Sequence, residues 1–499
     1  MSRDILKNFK IDVVVDNYLR IDKADLSSEV ISQMKQALSI SNPKFVSAVK
    51  ERASTWGIPK EIEMFNESDS QLLMPRGFAP GLKSGIEQLG GSVQFKDMRA
   101  VLRVSTPSEG VNLHSHQSKP LETLTELQQG MYEASPGAGK TVVCLELWRR
   151  VQQRTIVLVD RKNIASQWME RAKQHLNVET GLIGDDSWDE QDLTIALVQT
   201  LRSKMSTLGK DWFESWGMLI ADECHHSSSN SWHEVIEKFP AKYRIGVSAT
   251  PDRENGSFDI ARLVLGDVVC KTSKEELYEN KTIVRPIVQA VKTDFNFPYF
   301  PTHTSGPGGD CMYKPDCESQ KTTHRNNFHQ LLNKLVECKK RSQLIADYIS
   351  SETGSTQIVI SKRLKHLEAI RDLLEVDVPL LWLTGKETSK ERSEVIQQAS
   401  EEKVVIFSTL ADEALDLPSL DVIHLTFPAR SAPLVRQQVG RVERQYFGKK
   451  SPRIYDYADM EIPILRSQFN NRLNRVYVVD GYSINWLRQN KPTRLASVL

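Results

Sequence analysis

A chain of 499 residues, 39% apolar and 26% charged, is long enough for about three domains and apolar enough to give each a core. A net charge of +1 argues against a general polyanion sponge, six cysteines are no disulfide framework, and no apolar run reaches the ~20 residues of a membrane span. The start Met1-Ser2-Arg3-Asp4 lacks the apolar core of a signal peptide, and with so few cysteines a reducing, cytoplasmic setting is expected.

The first hundred residues read as a small α+β domain, residues 1–104. They offer a strand at Ile11–Val15, a helix at Leu26–Leu38, another around Pro43–Trp56, and a loop at Pro75-Arg76-Gly77. Over residues 105–290, short β-branched runs alternate with helical stretches: Ile156–Val159, Thr194–Val198, Met218–Ala221 and Ile245–Val247. That alternation predicts a parallel sheet covered on both faces. Residues 291–328 hold several prolines and the run Gly306–Gly309, and read as a linker. The alternation resumes over residues 329–499, with strands at Ile358–Ile360, Leu380–Leu383, Val404–Phe407 and Val422–Leu425 and a helix over Arg363–Leu374. From Arg430 to the end, 13 Lys and Arg face 5 Asp and Glu, either a nucleic-acid footprint or a balanced solvated surface.

One loop carries the chemistry of the first half. Ala134-Ser135-Pro136-Gly137-Ala138-Gly139-Lys140-Thr141 reads as a phosphate-binding loop between strand and helix. Its glycines let backbone amides close on a polyphosphate, Lys140 neutralises the outer charge, and Thr141 can hold Mg²⁺. The usual first glycine is Ala134. Downstream, Met218–Ala221 runs into Asp222-Glu223, which places two carboxylates at the ligand-binding edge of an open α/β sheet. Asp222 would hold Mg²⁺ and Glu223 would polarise the attacking water. In the second half Arg441 and Arg444, three apart on one helical face, could reach a bound triphosphate as arginine fingers; the alternative is a solvated basic face.

The ordered set of motifs over residues 113 to 455 resembles the superfamily 2 helicases and translocases. Gln117 resembles the adenine-reading glutamine, Ala134–Thr141 motif I, Asp160–Trp168 motif Ia, Gln199-Thr200-Leu201 motif Ib, Asp222–His225 motif II and Ser248-Ala249-Thr250 motif III. Leu383-Thr384-Gly385, Glu413–Asp416 and Gln437–Arg444 resemble motifs IVa, V and VI. The resemblance implies two tandem RecA-like parallel-sheet lobes behind a small N-terminal α+β domain. It also implies an ATP·Mg²⁺ site between the lobes that includes Asp416 and Gln437, and coupling through Ser248, Ala249 and Thr250. DNA contacts are implied at Arg161, Gln199, Thr200, Thr384, Gly385 and Thr409. Departures are Ala414 for the usual glycine of motif V, Asp160-Arg161-Lys162 in motif Ia, and His114-Ser115-His116 before the glutamine.

The ending Thr250-Pro251-Asp252-Arg253 is similar to the group holding UvsW, XPB and RecG-like enzymes. Asn42-Pro43, Pro75-Arg76-Gly77-Phe78 and Ile454-Tyr455-Asp456-Tyr457 resemble the UvsW type. That type remodels forks and Holliday junctions, with the N-terminal domain implicated in engaging DNA. It implies branched DNA as partner, a monomer, and single-strand-binding or recombination proteins as candidate partners. The competing readings are an RNA helicase, a restriction-type double-strand translocase, and a scaffold that binds ATP without hydrolysis. A zinc site from His303, Cys311, Cys317 and His324 lacks paired C-x₂-C spacing and is read as incidental. Glu337 and Lys339 fall in a helical stretch and so fail a nuclease signature, while Trp168, Trp212, Trp216 and Trp382 read as packing.

Overall fold

Alternation of apolar and polar side chains decides the first sheet. In Lys10–Val15, Ile11 and Val13 are buried while Lys10 and Asp12 face solvent, the period of a strand with one wet face. The computed structural model describes residues 9–50, 54–224, 230–249, 257–297, 324–352, 354–409, 417–446, 449 and 451–487. The first sheet has five strands, ordered Asn66–Glu67, Gln71–Pro75, Tyr18–Asp22, Lys10–Val15, Ser92–Asp97. Helices Ser28–Ala37 and Ala79–Gln88 contribute Val30, Met34, Leu82 and Ile86 to its core. Ser27 caps the first of them by accepting from the Val30 amide. The other expected helix is observed as Pro43–Lys50, and Trp56 lies in a turn beyond it.

The next sheet shows no such alternation. Thr155–Val159 and Leu193–Leu197 are buried at every position, so both faces are covered. Its eight strands run Ser187–Trp188, Gly181–Gly184, Leu193–Leu197, Thr155–Val159, Met218–Asp222, Tyr243–Ser248, Gln129–Ala134, Val268–Thr272. All neighbours are parallel except the Ser187–Trp188 edge. Because Tyr243–Ser248 lies between Met218–Asp222 and Gln129–Ala134, three strand ends meet on one edge: Asp222, Ser248 and Ala134.

The chain divides into two compact units, Met1–Leu277 and Tyr278–Leu499. The second holds seven parallel strands, ordered Leu380–Leu383, Val405–Ser408, Gln357–Ile360, Val422–Leu425, Arg453–Ala458, Ile287–Lys292, Ser483–Leu487. This corrects the expected boundaries. The end of the first lobe at 290 falls inside Ile287–Lys292, which pairs with Arg453–Ala458 and Ser483–Leu487 and so belongs to the second unit. The expected linker 291–328 likewise contains the start of helix His324–Glu337, and His303, Cys311 and Cys317 lie outside the described residues. No helix among the described residues is long and apolar enough to cross a membrane.

Two buried arginines fix the small domain to the first large sheet. Arg76 donates from Nη1 to Ala241 O at 2.6 Å and from Nη2 to Lys242 O at 3.3 Å. Beside it, a Cβ on Gly77 would stand 2.1 Å from Arg262 O, so only glycine lets these backbones approach. Arg244 answers from the lobe, donating to Phe239 O at 2.5 Å, Val264 O at 3.2 Å and Asn17 O at 3.3 Å. Tyr18 Oη donates to Glu237 Oε2 at 3.3 Å and Asn17 Nδ2 to Glu237 O at 2.9 Å. Burial pushes the Arg244 pKa down to about 10, which leaves it a cation at neutral pH, and lifts the Glu237 carboxyl to about 7.

Glu237 therefore holds its proton more tightly when folded than at its ordinary 4.5, and the first unit loses stability as pH rises from about 4.5 through about 7. The loss amounts to roughly 3 kcal/mol. Glu237→Gln removes the charge that burial opposes. It is expected to raise the melting midpoint of the full chain by about 5 °C at pH 8.5 and to leave it unchanged near pH 4.5, read by calorimetry. An equal midpoint for both proteins at pH 8.5 refutes the buried carboxylate.

Candidate functional site

The strand Gln129–Ala134 ends in the loop 135–139, and helix Lys140–Val151 begins at once. Gly137 and Gly139 have φ of +86° and +76°, which side chains rarely tolerate. At Gly139 a Cβ would also stand 2.3 Å from Gln117 Nε2. Ala134, in place of the usual glycine, is still in the strand and fully buried, so its methyl meets no conformational demand.

Lys140 Nζ sits 3.0 Å from Glu223 Oε1. Burial opposes the ammonium charge, but Glu223 and Asp222 outweigh it and hold the Lys140 pKa above the ordinary value. Burial, and next the Glu223 charge, push the Asp222 carboxyl upward. Asp222 is oriented at both oxygens: Glu223 N donates to Oδ1 at 2.9 Å and Trp168 Nε1 to Oδ2 at 2.7 Å. Arg171, one turn on in helix Lys162–Leu176, donates from Nη1 to Thr141 Oγ1 at 3.3 Å. Trp168 is thus a positioning residue as well as a packed one, and Arg171 is a contact that sequence reasoning missed. The available signal was the spacing of three between them, which puts both on one face of the helix.

Gln117 lies against the same loop. Its Oε1 accepts from His114 N at 2.9 Å and its Nε2 donates to Ala138 O at 2.9 Å. His116 Nε2 stands 3.2 Å from that carbonyl. The amide expected to read adenine is here bonded to helix start and loop. Ser248 is buried at the end of its strand and Ala249 follows half-buried, while Thr250 lies outside the described residues.

The expected nucleic-acid contacts fall into two groups. In the first unit Gln199 Nε2 reaches Asp160 Oδ1 at 3.3 Å and Arg161 pairs with Asp160 at 3.6 Å, with Thr200 next in helix Val198–Lys204. In the second, Thr409 Oγ1 donates to Thr384 O at 2.9 Å. The amides of Thr384 and Gly385 both donate to Glu387 at 2.8 Å, so a carboxylate of this chain occupies the donors expected to meet a phosphate.

Arg441 and Arg444 require a correction. Helix Ala432–Val439 stops before them, so they share no helical face: Arg441 is buried in the following turn, and Arg444 bridges Ile283. Gln437 is exposed on that helix, and Asp416 lies outside the described residues. Three of the C-terminal arginines are paired within the second unit. Arg472 grips Asp456 at 2.7 Å, Arg436 grips Asp480 at 3.0 Å and Arg453 grips Glu352 at 2.5 Å.

Residues 110–253 match the family described as the res subunit of type III restriction enzymes, and residues 339–445 match the helicase conserved C-terminal domain. The chain is a superfamily 2 helicase. It is an ATP hydrolase with two RecA-like domains behind a small N-terminal one. The helicase is 23% identical over 421 residues to the DNA 3'-5' translocase XPB2 of Sulfurisphaera tokodaii, covering 75% of this chain and 92% of that one. It is 22% identical over 478 residues to "Putative ATP-dependent RNA helicase L396" of Acanthamoeba polyphaga mimivirus, covering 94% and 85%. The crystal structure of T4 UvsW aligns with 97% of this chain and all of its own at 15% identity, with a TM-score of 0.40.

The loop geometry makes a specific demand of this helicase. Gly139→Ala strains φ and drives a methyl into the Gln117 amide, so ATP affinity is expected to fall at least tenfold by titration of a fluorescent ATP analogue. Gly85→Ala, at a helical position with open space for its methyl, is expected to bind ATP as the wild type does. Equal affinity for ATP in the Gly139 variant refutes the tight loop.

Proposed function

We propose that the chain is an ATP-driven DNA helicase or translocase acting on branched DNA, forks and junctions among them. The observation that carries the motor is the meeting of Lys140, at the helix start after the loop, with Asp222 and Glu223 at a strand end two strands over, Glu223 standing 3.0 Å from Lys140. The DNA assignment is supported by the likeness to a protein named as a DNA translocase over 92% of that protein. The branched preference rests on the resemblance of the N-terminal segments to the UvsW type. An RNA helicase is the second reading, favoured by the name of the viral relative.

In this mechanism the loop amides and Lys140 hold the β- and γ-phosphates. Thr141 and Asp222 would supply hard oxygen ligands for Mg²⁺, which needs few protein donors. Lys140 must leave Glu223 when the γ-phosphate arrives, because the phosphate is the larger anionic charge. Glu223 is then released to orient the attacking water. Trp168 holds the Asp222 carboxylate still, and Arg171 fixes the Thr141 hydroxyl. Arg441 and Arg444 would add positive charge to the transition state, with Gln437 and Asp416 in the same nucleotide-facing set. Ser248, Ala249 and Thr250, at a strand end beside the loop, would pass the hydrolysis state to the DNA contacts at Arg161, Gln199, Thr200, Thr384, Gly385 and Thr409. Binding through phosphates makes affinity fall steeply with salt.

Glu223→Gln is expected to lower kcat for ATP by at least about 10²-fold while ATP still binds. Arg444→Ala is expected to lower kcat about 10³-fold. Full ATPase in the Glu223 variant overturns its assignment. Unwinding of matched fork, Holliday-junction and blunt duplex substrates, in DNA and in RNA, tests the substrate. Faster ATP-dependent remodelling of fork and junction DNA supports the proposal; equal rates on all three remove the branched preference, and activity on RNA alone selects the second reading.

A further inference from the structure

The second unit carries a groove that none of the helicase motifs uses. It encloses ≈ 480 Å³ beside helix Pro463–Arg472 and the π turn Leu473–Tyr477 that continues it. Arg430, Ser467, Gln468, Asn471, Asn474 and Arg475 line it, and among the described residues no carboxylate does. Positions 467, 468, 471, 474 and 475 have the spacing of one helical face. The π turn, closed by Val478 N donating to Leu473 O at 2.9 Å, adds a residue to the turn and lets both Asn474 and Arg475 reach the groove.

Its wall is built rather than incidental. Asn471 Nδ2 donates to Arg430 O at 2.6 Å and Arg472 Nη1 to Ala429 O at 2.8 Å. These bonds tie the helix to the loop that leads into Ala432–Val439, the helix carrying Gln437. Gln468 Oε1 is buried with no hydrogen-bond partner among the described residues, an uncommon state for a polar atom. The Arg430 side chain stands exposed at the rim.

The exposed Arg430 guanidinium, with amides and a hydroxyl along the groove, suits a phosphodiester strand. The guanidinium would meet a phosphate, the amides sugar and base edges. We propose that this groove is a second nucleic-acid site, taking single-stranded DNA apart from the contacts at Thr384, Gly385 and Thr409. The proposal rests on the DNA reading above. A strand held there presses on the loop before Ala432–Val439, and so bears on the segment that ends in Arg441 and Arg444.

The test uses the full chain, a fluorescein-labelled mixed-sequence DNA strand, and anisotropy over a salt series. Arg430→Ala is expected to weaken binding about five- to tenfold and to flatten the slope of log K against log salt by about 0.7 to 1. Asn474→Ala is expected to weaken binding about threefold with the slope kept, because a neutral amide releases no counterion. Lys334→Ala removes an exposed cation from helix His324–Glu337 and is expected to change neither. Wild-type affinity and slope in Arg430→Ala overturn the groove, and so does an equal loss in Lys334→Ala. A wild-type chain that binds the matching RNA strand and not the DNA strand overturns the DNA reading itself, a result distinct from the failure of the variants alone.

Discussion

The ion pair between Lys140 and Glu223 sets the state of this site. It joins the ends of two strands separated by a third, Tyr243–Ser248, so it forms only because the sheet is parallel and ordered with that strand between them. Lys140 and Glu223 thereby offset each other's charge where burial would otherwise penalise the ammonium. The rest of the site follows from keeping that pair in register. Glycines with positive φ shape the loop, Trp168 and the Glu223 amide fix Asp222, and Gln117 braces the loop from the preceding helix.

The buried arginine seam plays the corresponding part for the small domain. Arg76 and Arg244 satisfy backbone carbonyls of the lobe, and Gly77 permits the close approach. Pro75-Arg76-Gly77 thus acts as an anchor, with its guanidinium directed into the first unit and away from solvent. The same economy of cations runs through the second unit, where Arg436, Arg453 and Arg472 are paired internally. A charge excess counted along the chain overstates what a nucleic acid would meet at the surface, because paired arginines release no counterions.

Most of the nucleotide half was legible in advance, because its chemistry lies in contiguous residues. Ala134–Thr141 and Asp222-Glu223 sit where their spacing placed them, on strands that end together. The second half was less legible. Arg441 and Arg444, three apart, look helical, yet the helix stops at Val439 and the following turns pair with the segment at Ile283 and Val284. The strand Ile287–Lys292 likewise reads as the tail of the first lobe, since strand composition does not say which sheet a strand joins. Arg171 and Glu387 were missed for a related reason: a single charged residue on a helix or loop shows no partner until the fold supplies one.

By itself the sequence determined which local conformations the chain could adopt: two parallel-sheet lobes, an amphipathic small domain, and a loop that only glycines can close. It determined too which residue types stand at the strand ends, and hence a phosphate-handling chemistry. The tertiary structure decided the partners. Whether Lys140 meets Glu223, whether Arg76 faces solvent or a backbone carbonyl, and whether a C-terminal cation meets a carboxylate or lines a groove depend on contacts between residues tens to hundreds of positions apart. Local propensity is blind to such contacts, because they gain their energy only when burial removes water from both partners at once.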